Sequence, residues 1–191
     1  MGDLTVDECY KCSQNAPIVI RQRCGKAVGG RILLDDCYLW YNKSNFIRQR
    51  DVCGIIIFDE RNVSNVDPQD FNVALNTLLN SLSAEVANIP SKNRYASGST
   101  ADNFFPKIYS FVQCTRDISI DDCTTCLTTT ISEIETYYYG RKGVDDLEGH
   151  CIVRYDTHSF FNSTALPPLS AQALSNMTVA TDMHCIHFWD G

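Results

Sequence analysis

The chain has 191 residues, 44% of them apolar and 20% charged, with ten cysteines and a formal net charge of −7. That length suits one or two domains, each with a packed core. The acidic balance excludes nucleic acid as a class of partner, since phosphate binding needs a basic stripe, and no apolar run approaches the length of a transmembrane helix.

In chain order, Thr5 with Glu8 forms a capping box, so a helix is expected from about Val6 toward Arg21. Pro17 lies inside that pattern and is expected to kink or shorten it. Arg31 to Tyr41 alternates as a strand, with Gly29-Gly30 as its turn. Gly54 to Phe58 reads as a strand. Asp67 and Pro68 then start a second helix, at N-cap and first-turn positions. Phe71, Leu75, Leu78, Leu79, Leu82 and Val86 follow as its buried stripe, and Pro90 ends it. Tyr95-Ala96 and Ile108 to Gln113 read as strands joined by a polar loop. Ser119 and Asp122 open a third helix, whose Ile120, Cys123, Leu127, Ile131 and Ile134 fall on one face. His150 to Tyr155 is the returning strand. Residues 163–191 are polar and proline-bearing, as in a stalk or tail.

The stretch around the third helix carries a C-x8-C-x2-C motif at Cys114, Cys123 and Cys126. Its later part occurs twice. Asp3 to Phe46 aligns with Asp117 to Phe160 at a constant offset of 114 without a gap. Ten of the 44 positions are identical, among them Cys9/Cys123, Cys12/Cys126 and Cys37/Cys151. This is an internal duplication. The counterpart of Cys114 falls one residue before Met1, so the chain is expected to begin inside its first repeat. Ten cysteines indicate an oxidising compartment. The sequons at Asn42, Asn62, Asn162 and Asn176 agree and are candidate glycosylation acceptors. Residues 1–20 show no signal peptide, which truncation of a longer secreted protein would reconcile with the cysteines.

With these motifs the chain resembles the tandem ginkbilobin-homologous (salt-stress-response/antifungal) domains of land plants, above all those of cysteine-rich receptor-like kinase ectodomains. Arg94-Tyr95-Ala96-Ser97-Gly98, the run from Tyr109 to Arg116, and Cys151-Ile152-Val153-Arg154-Tyr155 carry the same resemblance. It implies an α+β fold in which an antiparallel sheet has two helices packed on one face. Residues 1–49 would be the C-terminal half of a first, truncated domain, lacking its first strands and first helix. Residues 50–162 would be a complete second domain, and 163–191 a polar tail or juxtamembrane stalk. The implied bridges are Cys114–Cys123, Cys126–Cys151 and Cys12–Cys37. Cys9, Cys24, Cys53 and Cys185 have no partner in this scheme, and His184 to Trp189 matches no part of the resemblance.

Two other chemistries compete for the cysteines. The C-x2-C pairs at Cys9/Cys12 and Cys123/Cys126 are a possible zinc ligand set. At a helix start such a pair also has the form of a dithiol redox site, although that fold would need a βαβ context. His150, His158, His184 and His187 have no nucleophile partner in a known motif and are expected on the surface or in loops. Tyr137-Tyr138-Tyr139 is expected to pack at a core rim rather than to stack on sugar. No kinase signature is present.

The reading is therefore a non-catalytic extracellular or apoplastic module without a cofactor, binding an apoplastic ligand or another receptor ectodomain through its sheet surfaces. A secreted antifungal lectin-like protein is the alternative within binding proteins; a cytosolic zinc or thiol-redox protein is the alternative of another class. In the ginkbilobin lectin, mannose is held by an N-terminal asparagine, an arginine six residues before the last motif cysteine and a glutamate five after it. Here the arginine stands as Arg31, the glutamate position is Asn42, and the second repeat has Asp145 and Asp156. The resemblance thus implies only a vestigial sugar site.

Overall fold

The computed structural model describes residues 4–34, 36–48, 54–88, 94–101 and 106–160, and the backbone of 184–186. These form two compact units, with the break between Asn45 and Phe46.

The first unit is built from α1 (Val6–Cys24), β1 (Gly29–Leu33), β2 (Tyr38–Asn42) and β8 (His184–Ile186). Thr5 caps α1 as expected: its hydroxyl accepts from the Glu8 amide and the Glu8 carboxylate accepts from the Thr5 amide. Pro17 does not shorten the helix, which continues to Cys24. The lost bond concerns the Ser13 carbonyl on an exposed part of the helix, where water can replace it. Arg31 to Tyr41 is not one strand. The chain turns between Leu34 and Cys37, whose backbones are hydrogen-bonded at 2.8 Å, and Gly29-Gly30 lie inside β1. Among the described residues the core is small: Ala16, Ile20, Cys24 and Ile32, flanked by Val19, Ala27, Leu34, Cys37, Leu39 and Tyr41.

The second unit holds β3 (Gly54–Phe58), α2 (Pro68–Asn88), β4 (Tyr95–Ser99), β5 (Tyr109–Cys114), α3 (Ile120–Tyr137), β6 (Gly143–Glu148) and β7 (Cys151–Asp156). The five strands pair antiparallel in the order β3-β6-β7-β5-β4. Phe71, Leu75, Leu79, Leu82 and Val86 of α2 and Cys123, Leu127, Ile131 and Ile134 of α3 share one core with Ala96, Val112, Val144, Val153 and Tyr155 of the sheet. Both helices therefore cover the same sheet face, and each large apolar side chain buried there contributes about 1.5–3 kcal/mol. Gly140, at a φ of 72°, makes the left-handed turn that leads from α3 into β6.

The duplication is visible in space. Adding 114 carries α1 onto α3, β1 onto β6 and β2 onto β7, and the ladder Arg31↔Trp40 onto Asp145↔Arg154. Tyr41 donates to the Ala27 carbonyl at 3.2 Å, and its counterpart Tyr155 donates to the Arg141 carbonyl at 3.2 Å. β8 lies on β1 as β3 lies on β6, antiparallel and on the side away from the hairpin partner. Residues 184–186, within the expected tail or stalk, thus form a sheet strand in the place that β3 takes in the other unit. The rest of that segment, with Asn162 and Asn176, lies outside the described residues.

Candidate binding surface

Among the described residues, three bridges with both partners described tie helix to sheet. Cys114, the last residue of β5, is joined to Cys123 in the first turn of α3, with Cα atoms 5.8 Å apart. Cys126, one turn further, is joined to Cys151 at the start of β7, Cα–Cα 6.1 Å. Cys12–Cys37 repeats that second bridge in the first unit, Cα–Cα 5.9 Å and with the same sequence separation of 25. Cys12, Cys123 and Cys126 are therefore consumed in bonds to distant cysteines, which leaves neither C-x2-C pair intact as zinc thiolates or as a dithiol. Cys24, for which no partner was expected, is disulfide-bonded and buried. Cys9 is free and exposed. Cys53 lies outside the described residues.

The eight-residue loop of the motif has its own support. The Arg94 guanidinium points at the carbonyls of Thr115, Ile118 and Ser119, between Cys114 and the start of α3. The Arg94 carbonyl accepts from the Cys114 amide at 2.9 Å. His150 lies in the turn between β6 and β7, in a loop as expected, yet it is buried: its Nδ1 lies 2.9 Å from the Thr115 hydroxyl and 3.7 Å from Asp117. Among the histidines described with side chains, only His158 is exposed.

Arg31, at the vestigial sugar position, is buried. Arg31 is 2% exposed, and its guanidinium carbon sits 4.1 Å from the centre of the Trp40 ring, its partner across the ladder. In the second unit the equivalent cross-strand pair is an ion pair, Arg154 Nε to Asp145 at 3.0 Å. Asp156 instead accepts from the His158 amide at 2.9 Å.

Of the sheet surfaces expected to bind, the face away from the helices is partly covered in the second unit, with Ile57, Tyr109, Gln113, Ile152 and Arg154 half-buried on it. Ile55, Phe111 and Leu147 on that face are all buried. Phe160 stacks edge-on against Phe111 at 5.9 Å and lies under Arg154. Exposed aromatic surface occurs instead at the C-terminal end of α3. Tyr137 is 73% and Tyr139 52% exposed. Between them Tyr138 turns inward onto Phe58, ring centres 5.1 Å apart, and the Arg141 guanidinium covers Phe58 at 5.5 Å. The tyrosine triplet thus divides into one packing residue and two open ones, where only packing was expected.

Comparison with known proteins places these features. Residues 53–158 match the family described as salt stress response/antifungal. Cysteine-rich repeat secretory protein 55 of Arabidopsis thaliana is 35% identical over 161 residues, 84% of this chain and 61% of its own length. Cysteine-rich receptor-like protein kinase 25 of the same plant is 27% identical over 179 residues, 93% of this chain and 26% of its own. The chain therefore spans about three-fifths of the secretory relative and a quarter of the kinase. The tandem DUF26 ectodomain of the Arabidopsis thaliana cysteine-rich receptor-like protein PDLP8 superposes with a TM-score of 0.66 at 22% identity, covering 81% of this chain and 67% of that one. No described helix is long and apolar enough to cross a membrane. By sequence match and by fold, the chain belongs to the salt stress response/antifungal family.

Proposed function

We propose that this chain is a non-catalytic recognition module working outside the cell, part of a cysteine-rich receptor-like kinase ectodomain in plant stress or defence signalling. Its partner would be an apoplastic ligand or another ectodomain. The observation that carries the reading is the exposed Tyr137/Tyr139 end of α3, held on a helix that two disulfides fasten to the sheet. Rigid aromatic side chains on a fixed scaffold give large contact area at low entropic cost. The alternative, a mannose-binding antifungal lectin, needs several convergent polar groups. One charged hydrogen bond is worth only about 1.5–3 kcal/mol, less than even millimolar binding requires, and Arg31 is buried.

The test is to immobilise the wild-type protein and a Tyr137→Ser/Tyr139→Ser variant and pass cell-wall oligosaccharides, mannose and purified family ectodomains over both. A partner held by the wild type and weakened about tenfold or more in the variant is the expected result. Saturable mannose binding that disappears in Arg31→Ala would replace this reading with the lectin.

Secretion predicts a second, independent mark. Asn62 and Ser64 of the Asn62 sequon are both exposed, whereas Asn42 packs over Gly29 and accepts from the Ser44 amide at 3.0 Å. Enzymatic deglycosylation in heavy-oxygen water should label Asn62 in protein secreted from plant cells. Secreted protein with an unlabelled Asn62 would count against that site.

A further inference from the structure

Asp146 occupies the place that Ile32 holds in the other repeat. The two positions are 114 apart, sit in equivalent strands, and pair across the ladder with apolar residues, Val153 and Leu39. They are equally enclosed, Asp146 at 0% and Ile32 at 1% exposure. The fold therefore accepts a plain hydrocarbon at this point. What stands there in the second unit is a carboxyl group with neither oxygen hydrogen-bonded.

The surroundings do not compensate a charge. On its own strand, Glu148 lies two residues on and shares its sheet face; from α3, Glu133 adds a second acid, and Tyr138 stands nearby at the helix end. Its ladder neighbours, Ile56 on β3 and Val153 on β7, do not titrate. The buried stripe of α2 over this sheet is apolar. A buried charge without partner or hydrogen bond is strongly disfavoured, so such a group takes a proton instead.

We propose that Asp146 makes the second unit sensitive to pH: as a neutral acid it completes the core, and on ionising it loosens the edge strand β3 from β6. β3 is the element to yield, because among the described residues it ends the sheet and pairs only with β6, directly opposite Asp146 through Ile56. Burial first, then Glu148 and Glu133, push the carboxyl up to about 8 from 3.8. The folded state thus keeps a proton that the unfolded chain gives up. Stability from this group is full below the unfolded value near 4, declines as pH rises, and is lost through about 8.

Thermal unfolding of the full chain between pH 5.5 and 8.5 tests this, with Asp146→Ile, the sister residue, and Asp146→Asn alongside. The wild-type midpoint should fall by roughly 10 °C or more relative to either variant. At pH 8.5 hydrogen exchange in Gly54–Phe58 should be faster in wild type than in Asp146→Ile. Parallel profiles for wild type and variants would overturn the proposal. So would a carboxyl-carbon titration by nuclear magnetic resonance that places the Asp146 midpoint below pH 5, a reading that needs no variant to fold.

Discussion

Replacing Cys126 and Cys151 together by alanine should lower the melting midpoint by roughly 10–20 °C, the larger effect of the two bridges in the second unit. Closing a loop with a separation of 25 residues is worth about 3.5 kcal/mol in the chain-entropy model, against about 2.6 kcal/mol for the separation of 9 between Cys114 and Cys123. In a unit of this size each kcal/mol moves the midpoint by several degrees. The Cys126–Cys151 sulfurs also pack: Thr130 Oγ1 lies 3.6 Å from Cys151 Sγ, and Cys151 is wholly buried. Calorimetry or circular dichroism under non-reducing conditions measures the shift. A pair of variants in which loss of Cys114–Cys123 costs more would show that native packing, not loop closure, sets the order.

The second large effect is the unequal autonomy of the two units. A fragment covering residues 46–160 should unfold cooperatively with native-like circular dichroism, and a 1–49 peptide should show no cooperative transition. Among the described residues the second unit gathers nineteen buried residues in one cluster and carries two bridges. The first unit's cluster has four among the described residues, and its third strand, β8, comes from residues 184–186, which the peptide lacks. A core that small does not offset the entropy of ordering its chain. A sharp thermal transition in the 1–49 peptide would contradict this.

Local chemistry marks the elements that sequence reading finds. The Thr5/Glu8 box, the Asp67-Pro68 start and the Ser119 cap fix three helix N-termini, and Gly54 to Phe58 is an unbroken apolar run. β6 and β8 are elements it misses. Asp145, Asp146 and Glu148 spoil the apolar alternation of Gly143–Glu148, because one acid is paired with Arg154 across the ladder and another is buried. Neither fact is local in sequence. The repeat could have supplied it, since Arg31–Tyr41 maps onto Asp145–Tyr155 and the hairpin is common to both.

The candidate site divides the same way. The spacing that the two repeats share, Cys12 to Cys37 and Cys126 to Cys151, is legible and corresponds to bridges of like geometry. The bonded state of Cys24 is not, because its counterpart in the other repeat is Tyr138. The burial of His150 follows from a turn that brings Thr115 and Asp117 to it from 35 and 33 residues away, which periodicity does not see. The stacking of Arg31 on Trp40 needs the register of β1 on β2, and only the folded hairpin gives it.

A disulfide-stapled extracellular module and a zinc or thiol-redox protein differ in a peptide map, made without reduction, of protein secreted from plant cells and trapped with a thiol-blocking reagent. The account predicts Cys114 joined to Cys123, Cys126 to Cys151 and Cys12 to Cys37, with the blocking reagent on Cys9. Recovery of both Cys123 and Cys126 as blocked free thiols would contradict it.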